Sequence, residues 1–179
     1  MKRSILITGA TGKLGKVFVK YFLEKGDEVI ALAKTEKKLN LLKSEFNSYG
    51  ENLKIINLDL MLEDFQKNLF EKLNSKNLKP TCLVNNARSL QNLKIENDGL
   101  VNDMSFINEY KLGVIAPYKI IMSLLKSKKR SLKKIVNISS IYGLVAPNKN
   151  LYENFDSESL IHYGVTKSAL IQLTKDLAV

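Results

Sequence analysis

Residues 2–8 (KRSILIT) run directly into Gly9-Ala10-Thr11-Gly12-Lys13-Leu14-Gly15, and Val17, Phe18, Tyr21 and Phe22 follow at helical spacing. The order is a short buried strand, a glycine-rich turn and an amphipathic helix. Glycines in such a turn let the backbone come close to an anionic group. The helix start then offers free N–H groups and the positive end of the helix dipole. A plain strand-turn-helix connection is the competing reading. Strand before and helix after is the context that a dinucleotide-binding turn requires, and it favours nucleotide binding.

The remaining chain repeats strand and helix in alternation. Gly26-Asp27 ends the first helix, and residues 28–33 (EVIALA) read as a second strand. The end of that strand commonly reports the ribose of a bound dinucleotide, where a carboxylate would meet the 2′-hydroxyl of NAD. Here the positions hold Ala33, Lys34 and Thr35. Lys34 could meet a 2′-phosphate, which leans towards NADP; a solvated lysine at a helix start is the alternative. Residues 35–49 read as a helix with Leu39, Leu42 and Phe46 inward, and residues 53–58 (LKIINL) as a third strand. Asp59 then follows a strand end, where it could accept from an adenine amino group or cap a turn. Leu62, Phe65, Leu69 and Leu73 form one apolar stripe, simplest as core.

Residues 81–84 read as a fourth strand ending in Asn85-Asn86-Ala87-Arg88. The paired asparagines could satisfy local backbone groups or line a crevice. Residues 98–126 carry helical periodicity through Leu100, Met104, Ile107, Leu112, Ile115, Ile120, Ile121, Leu124 and Leu125, and Pro117 predicts a kink or break. Residues 134–138 (KIVNI) read as a fifth strand, residues 146–158 as a polar loop and residues 159–179 as a helix. The predicted fold is α/β, a doubly wound parallel sheet in a single domain over 1–179. Gly9, Asp59, Asn85 and Ser140 all follow strand ends, so right-handed crossovers bring them to one crevice.

The last predicted helix carries Tyr163 and Lys167, one turn apart on one face. A free tyrosine titrates near ~10, so bringing it to neutral pH takes roughly 4 kcal/mol. An ammonium at ~4 Å in an effective dielectric of about 20 supplies a contribution of that size. A serine hydroxyl close by, Ser140, could hold a carbonyl oxygen while the phenol gives or takes its proton. His162 is expected at the surface or an interface, since a neighbour in sequence points about 100° away on a helix. Tyr142 and Tyr152 could line a substrate pocket or pack the long loop.

Composition removes several function classes. One His and one Cys among 179 residues leave no metal-ligand cluster and no disulfide framework. Cys82, in an apolar run, reads as a structural thiol. No apolar run approaches the ~18 residues of a membrane span. The N-terminus has no signal-peptide core, so a cytoplasmic protein is expected. The net charge is +10, and its densest patch is residues 126–134. That patch could bind nucleic acid. Its place at a helix end, without interleaved aromatics, favours ordinary dipole complementation and no nucleic-acid partner.

The four landmarks together resemble the short-chain dehydrogenase/reductase family: Thr8-Gly9-Ala10-Thr11-Gly12-Lys13-Leu14-Gly15, then Asn85-Asn86-Ala87, Asn137-Ile138-Ser139-Ser140-Ile141-Tyr142-Gly143, and Tyr163-Gly164-Val165-Thr166-Lys167. The segment from Ser140 to Pro147, with Tyr152-Glu153, is similar to members linked to bacterial surface-sugar and flagellin modification. The resemblance implies an NAD(P)-dependent oxidoreductase acting on a small carbonyl/alcohol substrate, a sugar derivative being one option, and a homodimer or homotetramer. By it, Ser140 orients the substrate, Tyr163 is the acid/base, and Lys167 lowers its pKa and binds the nicotinamide ribose. Gly9, Thr11, Gly12, Leu14 and Gly15 would flank the cofactor phosphates, with Lys34 at the 2′ position, Asp59 and Leu60 at the adenine, and Asn86 and Ala87 at the ribose.

Four positions depart from the family pattern. The glycines follow G-x-x-G-x-x-G spacing, Arg88 stands where Gly usually follows Asn-Asn-Ala, Tyr110 replaces an Asn expected three residues before Gly113, and the loop between Ser140 and Tyr163 is about ten residues longer than usual. That longer loop leaves Ser139 as a substitute for Ser140, with Ser140 preferred. Family members also continue with further strands and a substrate-covering segment. The expectation is therefore a shortened form of such a protein, or one whose sheet edge a partner covers. The alternative function is a nucleotide-binding module with weak or no catalysis.

Overall fold

A computed structural model describes residues 3–96, 99–127 and 131–179. The chain forms two compact units, Met1–Ala87 with Lys119–Ile138, and Arg88–Tyr118 with Ser139–Val179.

The first unit is built on five parallel strands, β1 (Ser4–Thr8), β2 (Glu28–Ala33), β3 (Leu53–Asn57), β4 (Cys82–Asn85) and β5 (Lys134–Asn137), in the order β3-β2-β1-β4-β5. Register is regular: Ile5 lies beside Val29 and Cys82, and Leu6 beside Ile30 and Leu83. Parallel strands need crossovers, here α1 (Lys13–Glu24), α2 (Glu36–Glu45) and α3 (Phe65–Ser75). Helices on the sheet faces explain why β1 and β2 read as near-continuous apolar runs. Ile5, Leu6, Ile7, Val29, Ile30, Ala31 and Leu32 are all at most 1% exposed. Val19 and Leu23 of α1, and Leu39 and Leu42 of α2, close the core from the helix side.

Polar groups that enter this unit find partners. Asp27, 5% exposed, accepts from Arg3 Nε at 2.9 Å. Asn85 Nδ2 donates to Asn137 Oδ1 at 2.8 Å, joining β4 to β5. Gln66 Nε2 of α3 donates to Ser123 Oγ at 3.0 Å.

The second unit holds α4 (Asp103–Tyr110), a π-helical turn (Lys111–Ile115), α6 (Phe155–Glu158) and α7 (Ile161–Asp176), while α5 (Ala116–Lys126) begins in this unit and ends in the first. The expected break near Pro117 is realised by the π turn just before it. The π turn adds a residue to the helical phase, so one 3.6-residue stripe cannot pass through both sides of it. Leu112, Ile120, Ile121 and Leu124 are buried, whereas Leu100, Met104 and Ile107 are 66%, 63% and 55% exposed. The single inward stripe expected over this stretch is thereby corrected. Asp98 and three of the basic residues in 126–134, namely Lys128, Lys129 and Arg130, lie outside the described residues.

Other boundaries differ by a residue or two. Leu62 is also corrected: α3 starts at Phe65, so Leu62 precedes the helix and is 49% exposed, while Phe65, Leu69 and Leu73 are buried as expected. The stretch expected to be helical over 35–49 stops at Glu45 and continues as a 3-10 turn, and the polar loop over 146–158 contains a 3-10 turn and α6.

Candidate functional site

In the first unit the sheet's topology locates a ligand edge. The chain runs outward from β1 through β2 to β3, then returns to the other side of β1 for β4 and β5. Ligands of such sheets sit at the carboxyl ends of the strands where this order reverses, here β1 and β4. Two stretches expected to carry function lie there, the turn 9–15 and Asn86-Ala87.

The turn is shaped by contacts that exclude side chains. Gly9 has φ +66°, and a Cβ on it would lie 2.7 Å from the Ala87 Cα. A Cβ on Gly15 would lie 2.2 Å from the Gly9 carbonyl oxygen. Gly12 differs, since its Cβ would meet only the Gly9 oxygen, at 3.4 Å. Gly12 caps α1 without a side-chain hydrogen bond, and no acidic residue occupies the first turn of that helix. Free N–H groups, open space and no competing carboxylate fit the phosphates of a dinucleotide. Thr11 is half-buried and Leu14 is 45% exposed beside it.

Asn86 ties β4 to β1. Its Nδ2 donates to Thr8 O at 3.0 Å and to Gly9 O at 3.2 Å. The backbone N–H groups of Asn86 and Ala87 both donate to Thr8 Oγ1 at 3.0 Å. The Asn86 amide thus holds the start of the turn 9–15 in shape. Asp59 accepts from Met61 N at 2.9 Å, which makes a local turn, and Leu60 is buried. Lys34 follows β2 directly and is exposed.

The second unit gathers a different set. On α7, Lys167 Nζ lies 5.6 Å from the Tyr163 ring centroid. Lys167 is 8% exposed, and burial pushes its ammonium below the usual lysine range; Glu109 opposes that shift and Arg88 adds to it. Ser139 and Ser140 have separate jobs. Ser139 Oγ donates to the Lys167 carbonyl oxygen at 2.9 Å, bracing α7. Ser140 Oγ accepts from Tyr142 N at 3.3 Å, so its O–H proton stays available. Tyr152 donates to the Tyr142 hydroxyl at 2.8 Å and stacks edge-on with Phe155 at 5.6 Å, pinning the long loop.

Three residues of this unit were not anticipated in these roles. Arg88 Cζ lies 4.6 Å from the Tyr163 ring centroid. Glu109 on α4 is 3% exposed, and burial raises its carboxyl above the usual range against the pull of Arg88, Lys167 and His162. His162 is 0% exposed, which corrects the surface position expected for it. Its Nε2 is 2.8 Å from Asn92 O, and its ring lies 6.0 Å from Phe106. Because Asn92 O accepts, Nε2 carries the proton. The 100° offset from Tyr163 points His162 into α4 instead of into solvent. No local pattern marks Glu109, which shares α4 with Asp103, Ser105 and Asn108, and none links Arg88 to Tyr163.

The sequence matches the family described as short chain dehydrogenase over residues 3–179. The chain belongs to the short-chain dehydrogenase family. It is 26% identical over 97% of its length to the post-translational flagellin modification protein A of Campylobacter coli, covering 69% of that protein. Among solved structures, ElxO with NADP bound matches with a TM-score of 0.80 and 31% identity, over 99% of this chain and 67% of that one. The 4-hydroxyisoleucine dehydrogenase complexed with NADH matches with a TM-score of 0.78 and 29% identity, again over 99% of this chain and 67% of that one. The chain spans 60% of another solved short-chain dehydrogenase, and among other relatives the share covered falls to 35%. The parallel sheet with flanking helices is the fold these family members share. No described helix is long and apolar enough to cross a membrane.

Proposed function

We propose that this chain is an NAD(P)-dependent oxidoreductase acting on a carbonyl/alcohol pair, with Ser140, Tyr163 and Lys167 as its catalytic residues. The observation that carries this reading is the pair on α7, a buried lysine one turn from a tyrosine ring and 5.6 Å from its centroid. NAD(P)H, when bound, supplies the hydride. In the reducing direction Tyr163 gives its phenolic proton to the substrate oxygen as that oxygen gains negative charge. Ser140, whose hydroxyl already accepts from Tyr142 N, uses its own proton to hold the same oxygen. Lys167 stabilises the phenolate left behind and contacts the nicotinamide ribose.

Cofactor contacts are assigned to Gly9, Thr11, Gly12, Leu14 and Gly15 at the phosphates, Asp59 and Leu60 at the adenine, and Asn86 and Ala87 at the ribose. Lys34, exposed at the end of β2 with no carboxylate beside it on that strand, favours NADP over NAD. The exposed apolar residues Met104 and Ile107 of α4, and Ile161 and Val165 of α7, support a homo-oligomer, a homodimer or homotetramer. The protein is read as cytoplasmic, with a small molecule, a sugar derivative among the options, as substrate.

A second reading, a nucleotide-binding module with little turnover, is favoured by Tyr110, which stands where the family places an asparagine and is 38% exposed. One assay separates the two. Tyr163→Phe should abolish NADPH-dependent reduction of a carbonyl panel while NADPH still binds. Turnover unchanged in Tyr163→Phe removes the phenol from the chemistry, and binding without turnover in the parent protein favours the module.

A further inference from the structure

Arg88 stands over the Tyr163 ring, its Cζ 4.6 Å from the centroid, and the residue is exposed. Lys167 reaches the same ring but is buried. Cation–π attraction holds a guanidinium in place without consuming its N–H donors, so the planar fork stays available to a second acceptor. Among the described residues the ion pairs are Arg3–Asp27, Lys16–Glu45, Lys20–Glu24 and Lys54–Glu51; Arg88 joins none of them. The carboxyl that acts on it, Glu109, is buried in α4 and does not occupy the exposed side.

An exposed, permanently charged fork fixed beside a phenol that moves protons is placed to grip an anionic group on whatever the phenol acts on. Two coplanar carboxylate oxygens match two parallel N–H donors. Phosphate matches the same fork, but in the first unit the turn 9–15 already offers N–H donors to phosphates, which leaves a carboxylate as the anion for Arg88. We propose that Arg88 is a specificity residue that selects carbonyl/alcohol substrates bearing a carboxylate, such as hydroxy acids or sugar acids. The inference rests on Tyr163 being the acid/base, and it names the substrate class for that same site.

The test uses the full chain and three probes. Succinate is titrated by NMR against the parent protein, Arg88→Met and Arg88→Lys, with dimethyl succinate as the uncharged control. NADPH affinity is measured in each protein. The ratio of kcat/KM for a short hydroxy acid over its methyl ester is measured where turnover exists. Succinate should bind the parent and not Arg88→Met, and the acid-to-ester ratio should fall about 10- to 100-fold, the loss expected for a charge-assisted contact. Arg88→Lys keeps the charge without the fork and should recover only part of the ratio. NADPH affinity should be the same in all three. Succinate binding that is absent or independent of Arg88, an unchanged ratio, or weakened NADPH binding in Arg88→Met each overturns the proposal. The succinate titration needs no hydride transfer, so failure of the oxidoreductase reading registers separately, in Tyr163→Phe.

Discussion

The two units treat buried polarity in opposite ways. In the first, polar side chains that leave water are paired: Asp27 with Arg3, Asn85 with Asn137, and Thr8 with the backbone of Val84, Asn86 and Ala87. In the second, Glu109, His162, Thr166 and Lys167 are buried, and His162 Nδ1 and Thr166 Oγ1 have no hydrogen-bond partner among the described residues. An unsatisfied buried group costs about 1–3 kcal/mol. In the helical unit burial pushes the pKa of Glu109 up and that of Lys167 down, which supports the proposal that places acid–base chemistry there.

That contrast can be broken at three points, with successively smaller effects. Gly15→Val puts a side chain where a Cβ alone would stand 2.2 Å from the Gly9 oxygen. Urea unfolding should show a loss of about 3 kcal/mol, since backbone on both sides leaves nowhere to move. Thr8→Val removes an acceptor shared by two N–H groups, and the midpoint should fall by the equivalent of about 2 kcal/mol. A neutral Gly15→Val would mean that the turn is not closely packed at that position, and a neutral Thr8→Val that the first unit is not held by satisfied polar contacts.

Glu109→Gln tests the other side of the comparison. A carboxyl whose folded pKa is raised stabilises the fold below its unfolded value, near ~4.3, and that contribution is lost as pH rises through the folded value. The parent protein should therefore lose stability relative to Glu109→Gln as pH climbs from about 4 towards neutrality, and the two should converge in acid. Thermal melts across that range check it. A variant that is less stable than the parent near neutrality, with the deficit vanishing in acid, would show Glu109 acting as an ion-pair partner instead.

Much of the first unit was legible because its constraints are local. Strand β2 spans the predicted residues 28–33, and the glycine spacing pointed to a turn whose positions 9 and 15 admit no side chain. The Tyr163–Lys167 pairing was legible for the same reason, being one helical turn. What stayed hidden depended on distance in sequence or on phase. Arg88 meets Tyr163 across 75 positions, and His162 is buried by Phe106 and Asn92, none of which a window of residues can report. The π turn at Lys111–Ile115 holds Gly113, where a Cβ would stand 2.4 Å from Thr166 Cγ2, but a single glycine in a helical run does not report a change of phase, so the apolar stripe drawn through Met104 and Ile107 kept a phase the helix does not keep.

The proposed division of labour is tested most directly by measuring NADPH affinity and hydride transfer side by side in Gly12→Val and Tyr163→Phe. Gly12→Val should lose NADPH binding, because its side chain enters the open space at the start of α1, and turnover should fall with it. Tyr163→Phe should keep NADPH affinity within about threefold while turnover drops by at least 10²-fold, the low end of what a positioned acid contributes. Retained turnover in Tyr163→Phe, or intact NADPH binding in Gly12→Val, would contradict the account.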